Sequence, residues 1–188
     1  MILIRHGESE FNAAVNRTGK SPGIPDPKLT LLGHQQVRRT AEEVRRHHRP
    51  IRRVITSPFT RALETATIIA EALELPVEVE LIIHEHACYD CDIGTPISAL
   101  AERWPALDFS HIPEVWWPEM EPREDLLRRC ADFRAKAATL SDWQHVAVVS
   151  HWGFIRGLTG HDARNAEIVP FDPLGEPLGE PLGDSAHQ

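Results

Sequence analysis

The chain has 188 residues, an apolar share of 41% and a charged share of 26%, the balance of a soluble globular protein with one substantial core. A net charge of −8 without a basic block argues against nucleic acid or an anionic membrane as partner, and no stretch is apolar for long enough to span a bilayer. Three cysteines argue against a disulfide framework and charges within the first ten residues against a secretory leader, so a reducing, cytoplasmic setting is expected.

Ile2 to Ile4 form a short apolar run suited to a buried strand, and Arg5, His6 and Gly7 follow at once. Glu8 to Asp26 is polar and broken by Gly19, Pro22, Gly23 and Pro25, which predicts a loop. Thr30 suits an N-cap, after which Leu32, Val37, Ala41 and Val44 keep helical spacing to about His48. The opposite face, with Arg38, Arg39, Glu42, Glu43, Arg45 and Arg46, reads as solvated. Val54 to Ser57 predicts a second strand. Pro58 suits the first turn of a helix whose apolar stripe runs through Phe59, Ala62, Leu63, Ala66, Ile69, Ala70 and Leu73. Val77 to Ile83 alternates apolar and acidic residues as a half-buried strand would.

From His84 to about Pro122 the character changes, with Trp104, Trp116, Trp117 and several prolines interrupting any long element. This predicts a lid-like excursion over about 86–122 with one short helix near Ile97 to Trp104. Glu124 to Leu140 reads as a helix with Leu126, Leu127, Cys130, Phe133 and Ala137 on one side. A β-branched run, Val146 to Val149, then delivers Ser150 and His151, followed by a short helix near Phe154 to Leu158 and a last strand near Glu167 to Phe171. Residues 172–188 repeat Pro-Leu-Gly-Glu and read as an extended, low-complexity tail to a single domain of residues 1–171. Strands alternating with helices predict an α/β fold, a three-layer α/β/α sandwich with a mostly parallel central sheet.

Two strands that each deliver a histidine at the carboxyl end point to one crevice, because open α/β sheets place ligands there. Holding a phosphoryl group takes fixed donors, preferably arginine, whose planar fork matches two phosphate oxygens. Attacking phosphorus takes a nucleophile unprotonated near neutral pH, such as imidazole, and expelling an alkoxide takes a general acid. Arg5 and His6 after the first strand, Arg61 in a first helical turn, Glu85 after the third strand and His151 after the fourth are the candidates.

Arg5-His6-Gly7-Glu8-Ser9 with Asn12 resembles the signature of the histidine phosphatase (phosphoglycerate mutase-like) superfamily. The resemblance continues through Leu29 to Gln36, through Ser57-Pro58-Phe59-Thr60-Arg61-Ala62-Leu63-Glu64-Thr65-Ala66, and through Ser150-His151-Trp152-Gly153, in the family's order. It implies that His6 becomes phosphorylated, that Arg5, Arg61 and His151 hold the phosphoryl oxygens, and that Asn12 helps bind substrate. It further implies Glu85 as proton donor, no metal or other cofactor, and phosphate esters as substrates, hence a histidine acid phosphatase-type phosphomonoesterase. Two departures stand out. Trp152 replaces a small residue, so its ring would narrow the pocket or stack on a substrate. The aromatic-Glu-Gly run usual near Glu85 is missing, which leaves Asp90 or Asp92 as substitutes.

Other readings compete. Arg61 could simply pair with Glu64 on its helix. His84, His86, Cys88 and Cys91 have the ligand types of a structural zinc site, against a reading as core cysteines and rim histidines. Mutase-type return of the phosphoryl group, or a non-catalytic phosphate- or protein-binding module on the same fold, are the functional alternatives. Hydrolysis is favoured because Arg103 and Arg123 are the only lysine or arginine residues between His84 and Arg123, leaving little to retain a second phosphate. The expected partner is a small-molecule phosphate ester; nothing in the sequence marks an oligomeric state.

Overall fold

The computed structural model describes residues 1–47 and 50–175. Among the described residues five strands make one sheet: β1 (Ile2–Arg5), β2 (Arg53–Thr56), β3 (Val77–Val79), β4 (Val146–Ser150) and β5 (Ile168–Pro170), in the order β3-β2-β4-β1-β5. All neighbours are parallel except β5, which runs antiparallel to β1 with Leu3 opposite Val169. The α-helices of the described residues are α1 (Glu10–Thr18), α2 (Leu31–His47), α3 (Thr60–Leu73), α4 (Ile97–Arg103), α5 (Arg123–Ala138) and α6 (Trp152–Thr159).

The central strands are continuously apolar because both faces of the sheet are covered. Successive side chains point to opposite faces. Leu3, Ile55, Val146 and Val148 therefore pack with Leu126 and Phe133 of α5 and Phe154, Ile155 and Leu158 of α6. Their alternates Ile2, Ile4, Val54, Ala147 and Val149 pack with Val37, Ala41 and Val44 of α2 and Ala62, Ala66 and Ile69 of α3. The predicted three-layer sandwich is present. Residues of the excursion add a third cluster on the flank of α3, in which Leu100, Phe109, Ile112 and Trp116 surround Phe59 and Leu63.

Three expectations need correction. The stretch Glu8 to Asp26 is not all loop, since α1 occupies Glu10–Thr18. Ser9 and Asn12 cap it reciprocally and Gly19, at φ +68°, ends it in the left-handed conformation. None of its residues is fully buried, so it carries no apolar stripe for periodicity to detect. The third strand stops at Val79; Glu80 accepts a hydrogen bond from the Ile82 amide, and Leu81–Ile83 turns as a short 3₁₀ segment that drives Ile83 into the core. Helix α3 begins at Thr60, beyond Pro58, because its capping group comes from afar: Asp26 accepts the Thr60 amide at 2.8 Å and its hydroxyl at 2.6 Å. His48 and residues 176–188, the end of the α2 prediction and most of the predicted tail, lie outside the described residues.

In this strand order the chain leaves β1 for β2 and β3 and returns to insert β4 between β1 and β2. The carboxyl ends of β1 and β4 thus lie side by side, with Arg5 paired to Ser150. His6 and His151 are the next residues of each strand.

Candidate active site

The two imidazoles face one another with ring centroids 5.2 Å apart, both buried. The Nδ1 of His6 lies 2.7 Å from the carbonyl oxygen of Gly7. A carbonyl only accepts, so Nδ1 carries the proton and Nε2 keeps its lone pair. Burial, followed by the nearby Arg61 and Arg5 guanidinium groups, holds His6 well below the ordinary imidazole range. Burial, followed by Arg61, His6, His84 and Arg5, likewise holds His151 well below that range. Its Nε2 is 2.8 Å from the Ser57 hydroxyl.

Arg61, 3% exposed, reaches in from the first turn of α3. It donates to Cys91 O at 2.8 Å and to Asp92 Oδ1 at 3.1 Å, and its guanidinium lies 4.3 Å from the Phe59 ring centre. Glu64 is occupied elsewhere, accepting the Leu29 amide at 2.8 Å, so the local Arg61–Glu64 pairing is not what the fold makes. Arg5 donates through Nη1 to Ala163 O at 2.8 Å. Among the described residues, the buried side-chain nitrogens and oxygens without a hydrogen-bond partner are Arg5 Nε, Arg53 Nε and His151 Nδ1. Two of those three belong to this cluster, whereas buried polar atoms elsewhere are almost all satisfied.

Glu85 arrives after the 3₁₀ turn and is anchored through one oxygen. Its Oε1 accepts the amides of His86 at 2.8 Å, Gly153 at 2.8 Å and Phe154 at 3.3 Å. Gly153 follows His151 by two residues, so the carboxyl group is tied to the same strand end as the second imidazole. Burial, then the charge of Asp92, raises Glu85 above the ordinary carboxylate range against the opposing pull of Arg61 and Arg5. With Oε1 committed to amides, Oε2 is the oxygen left to carry a proton. Asp90 is exposed and accepts from Ser21 at 3.3 Å, while Asp92 is spent on Arg61 and on the amides of Cys88 and Tyr89.

Asn12 is fixed by α1. Its Oδ1 accepts from the Ser9 amide at 3.1 Å, the Ser9 hydroxyl at 3.0 Å and Asn165 Nδ2 at 3.1 Å, which leaves its own amide hydrogens uncommitted. Trp152 is half-buried at the start of α6, with the Arg156 guanidinium 5.0 Å from its ring centre.

The Cys-His group does not converge on one point. His84 Nδ1 donates to Glu85 O and His86 Nε2 to Glu121 O; the exposed Cys88 lies with its Sγ 3.4 Å from His86 Nδ1, while Cys91 is buried beside Asp92. Among the described residues no three His, Cys, Asp or Glu side chains converge as a metal-ligand group.

Arg129 and Asn165 gave no sequence signal. Arg129 of α5 donates to the carbonyls of Ile82 and His84, both at 2.8 Å, and pairs with Glu121 at 2.6 Å, which pins the segment carrying Glu85. Ser150 adds a hydrogen bond to Ile83 O at 2.8 Å. Asn165 holds both Asn12 and, at 3.2 Å, the His6 carbonyl. Arg129 stands in a run of charged residues with nothing to single it out, and Asn165 sits in a loop.

Two clefts lie apart from the imidazole pair. One of about 520 Å³ lies between α2 and the 161–167 loop and shares Asn165 with the cluster; another of about 410 Å³ lies beside α5 around Met120. Neither contains the imidazole pair, so the site is recognised by its converging titratable groups rather than by cavity size. Among the described residues no helix is long and apolar enough to cross a membrane.

Known proteins resemble the chain in sequence and in fold. The "Uncharacterized phosphatase PhoE" of Bacillus subtilis is 32% identical over 158 residues, 84% of this chain and 74% of that protein. "Phosphoserine phosphatase 1" of Hydrogenobacter thermophilus is 32% identical over 157 residues, 80% of this chain and 70% of its own. In structure, the ecdysone phosphate phosphatase from Bombix mori matches with a TM-score of 0.65 over 98% of this chain and 96% of that one, at 17% identity, a likeness of fold. The sequence pattern of the superfamily's branch 1 runs through residues 1–168, taking in every strand end described above except the last residues of β5, and on that span the chain belongs to the histidine phosphatase superfamily.

Proposed function

We propose that this chain is a metal-independent phosphomonoesterase acting on a small phosphate ester through a phosphohistidine at His6, the chemistry of a histidine acid phosphatase. The observation that carries the reading is the His6 ring, kept neutral and locked with Nδ1–H on Gly7 O, beside two guanidinium groups and a carboxyl group anchored by one oxygen.

The lone pair on Nε2 of His6 attacks phosphorus, forming the N–P bond as the ester P–O bond breaks. Glu85, protonated on Oε2, delivers its proton to the departing alkoxide. Glu85, now a carboxylate, takes a proton from water, whose oxygen attacks phosphorus; the N–P bond breaks, and inorganic phosphate and His6 are released. Arg5, Arg61 and His151 stabilise the charge spread over the phosphoryl oxygens, the part divalent ions play in other phosphoryl-transfer sites. Asn12 adds a donor from its free amide, and Trp152 borders the substrate pocket on the α6 side. The 86–122 excursion closes over the pocket as a lid on a single domain, and the setting is cytoplasmic.

Hydrolysis is favoured over mutase-type return because Arg103 is already engaged, stacked 4.5 Å from the Trp104 ring centre and donating to Thr60 at 3.3 Å. The test is phosphate release from a panel of phosphate esters with EDTA present, native protein against His6→Ala. Chelator-resistant release that vanishes in the variant, with acid-labile phosphate on the native protein during turnover, is expected. Release that survives in His6→Ala, or that EDTA abolishes, would overturn the mechanism.

A further inference from the structure

Resting on the phosphatase reading, we propose that Phe11 and Tyr89 form the wall that receives the organic part of the ester, and that the preferred substrate carries a flat aromatic or similarly apolar group rather than a second anionic group.

Tyr89 stands near the start of the excursion and is 66% exposed, an aromatic face with a polar tip open to a ligand. Its backbone is fixed. The Tyr89 amide donates to Asp92 Oδ2 at 3.0 Å, and the other oxygen of Asp92 holds Arg61 at 3.1 Å. One carboxylate therefore indexes the ring against a guanidinium of the phosphate cluster. From the other side Phe11 projects from α1, one residue before Asn12, and its ring centre is 6.0 Å from that of Tyr89 at an interplanar angle of 44°. A second contact joins the same two segments, Ser21 Oγ to Asp90 Oδ2 at 3.3 Å. Ile93, four residues after Tyr89, is 44% exposed.

The charge on this rim sets the sign of the selection. Asp90 is exposed there. Arg103, a cation of the excursion, is turned away onto Trp104 and Thr60. A second carboxylate or phosphate on the substrate would meet Asp90, whereas a ring would meet the open face of Tyr89 and the edge of Phe11. Aromatic pairs of this kind add to plain area burial.

The experiment compares kcat/KM for 2-phenylethyl phosphate and ethyl phosphate, whose leaving groups are both primary alkoxides, so that their ratio reads recognition rather than chemistry. The native protein is expected to favour the phenylethyl ester by roughly tenfold or more, mostly through KM, an amount one apolar contact surface can supply. The ratio should collapse toward unity in Tyr89→Ala and in Phe11→Ala and persist in Tyr89→Phe, which keeps the ring. Equal kcat/KM for both esters in the native protein, or a preference that survives Tyr89→Ala, overturns the inference while leaving the phosphatase reading intact. Absence of phosphate release from both esters and from nitrophenyl phosphate overturns the phosphatase reading, and this inference with it.

Discussion

Replacing Gly153 by alanine would place a methyl group 2.6 Å from Glu85 Oε1 and 2.8 Å from His86 Cβ, closer than non-bonded atoms settle. The carboxyl group must then leave the amides of Gly153 and Phe154, since the helix backbone on the other side cannot give way. Overpacking of this kind costs about 1–3 kcal/mol, and alanine in place of glycine within a helix returns about 1 kcal/mol. The net loss, roughly 0–2 kcal/mol, is small against the stability of a domain, so the variant folds. Catalysis has no such compensation. A displaced general acid forfeits a factor of roughly 10²–10⁴, and only where the leaving group needs a proton. The assay is single-turnover phosphate transfer from an alkyl phosphate and from nitrophenyl phosphate, whose nitrophenolate departs unprotonated. The alkyl ester should lose at least roughly a hundredfold while the nitrophenyl ester stays within a few-fold. Equal losses on both would locate the damage in phosphoryl binding and refute the anchoring of Glu85 by α6; no loss on either would refute Glu85 as the acid.

Two further perturbations test the electrostatics. Asp92→Ala leaves Arg61 buried without its ion pair and the amides of Cys88 and Tyr89 without their acceptor; breaking such a pair costs about 3–5 kcal/mol, which for a chain of this size lowers Tm by roughly 6–20 °C. Calorimetry showing a fall of under roughly 3 °C would mean that the pair is not a structural clamp. Because burial raises the Glu85 carboxyl group above the ordinary carboxylate range, the folded state holds that proton more tightly than the unfolded chain. Its contribution to stability is present below the unfolded value and is lost as pH rises through the folded one. Glu85→Gln should therefore melt higher than the native protein at neutral pH, with the gap closing toward about pH 4, and should lose turnover of alkyl esters. A gap that widens on acidification would reverse the assigned sign.

The candidate site residues were legible because each sits in a short local run at a strand end or helix start: Arg5-His6-Gly7, Ser57-Pro58-Phe59-Thr60-Arg61, and Ser150-His151. A continuous apolar strand ends where polar residues begin, and in an open α/β sheet that junction is where ligands bind. The same logic failed for α1, whose polar sides bury nothing fully, and for Val77 to Ile83, where alternation continues past the last strand residue. Choosing between Glu85, Asp90 and Asp92 was beyond the sequence, because all three are carboxylates within eight residues and only their partners separate them.

Those partners are distant in the chain. Glu85 depends on amides 68 and 69 residues away and its segment on Arg129, 45 and 47 residues away. Asn12 depends on Asn165, 153 residues on. By itself the sequence determined which chemical groups are present and which strand ends carry them, because local pattern dictates strands, helices and their termini. Tertiary structure alone decided which carboxyl group can hold a proton and which arginine is held in place. Burial and the nearest charges set those properties, and neither exists until the sheet has brought remote segments together.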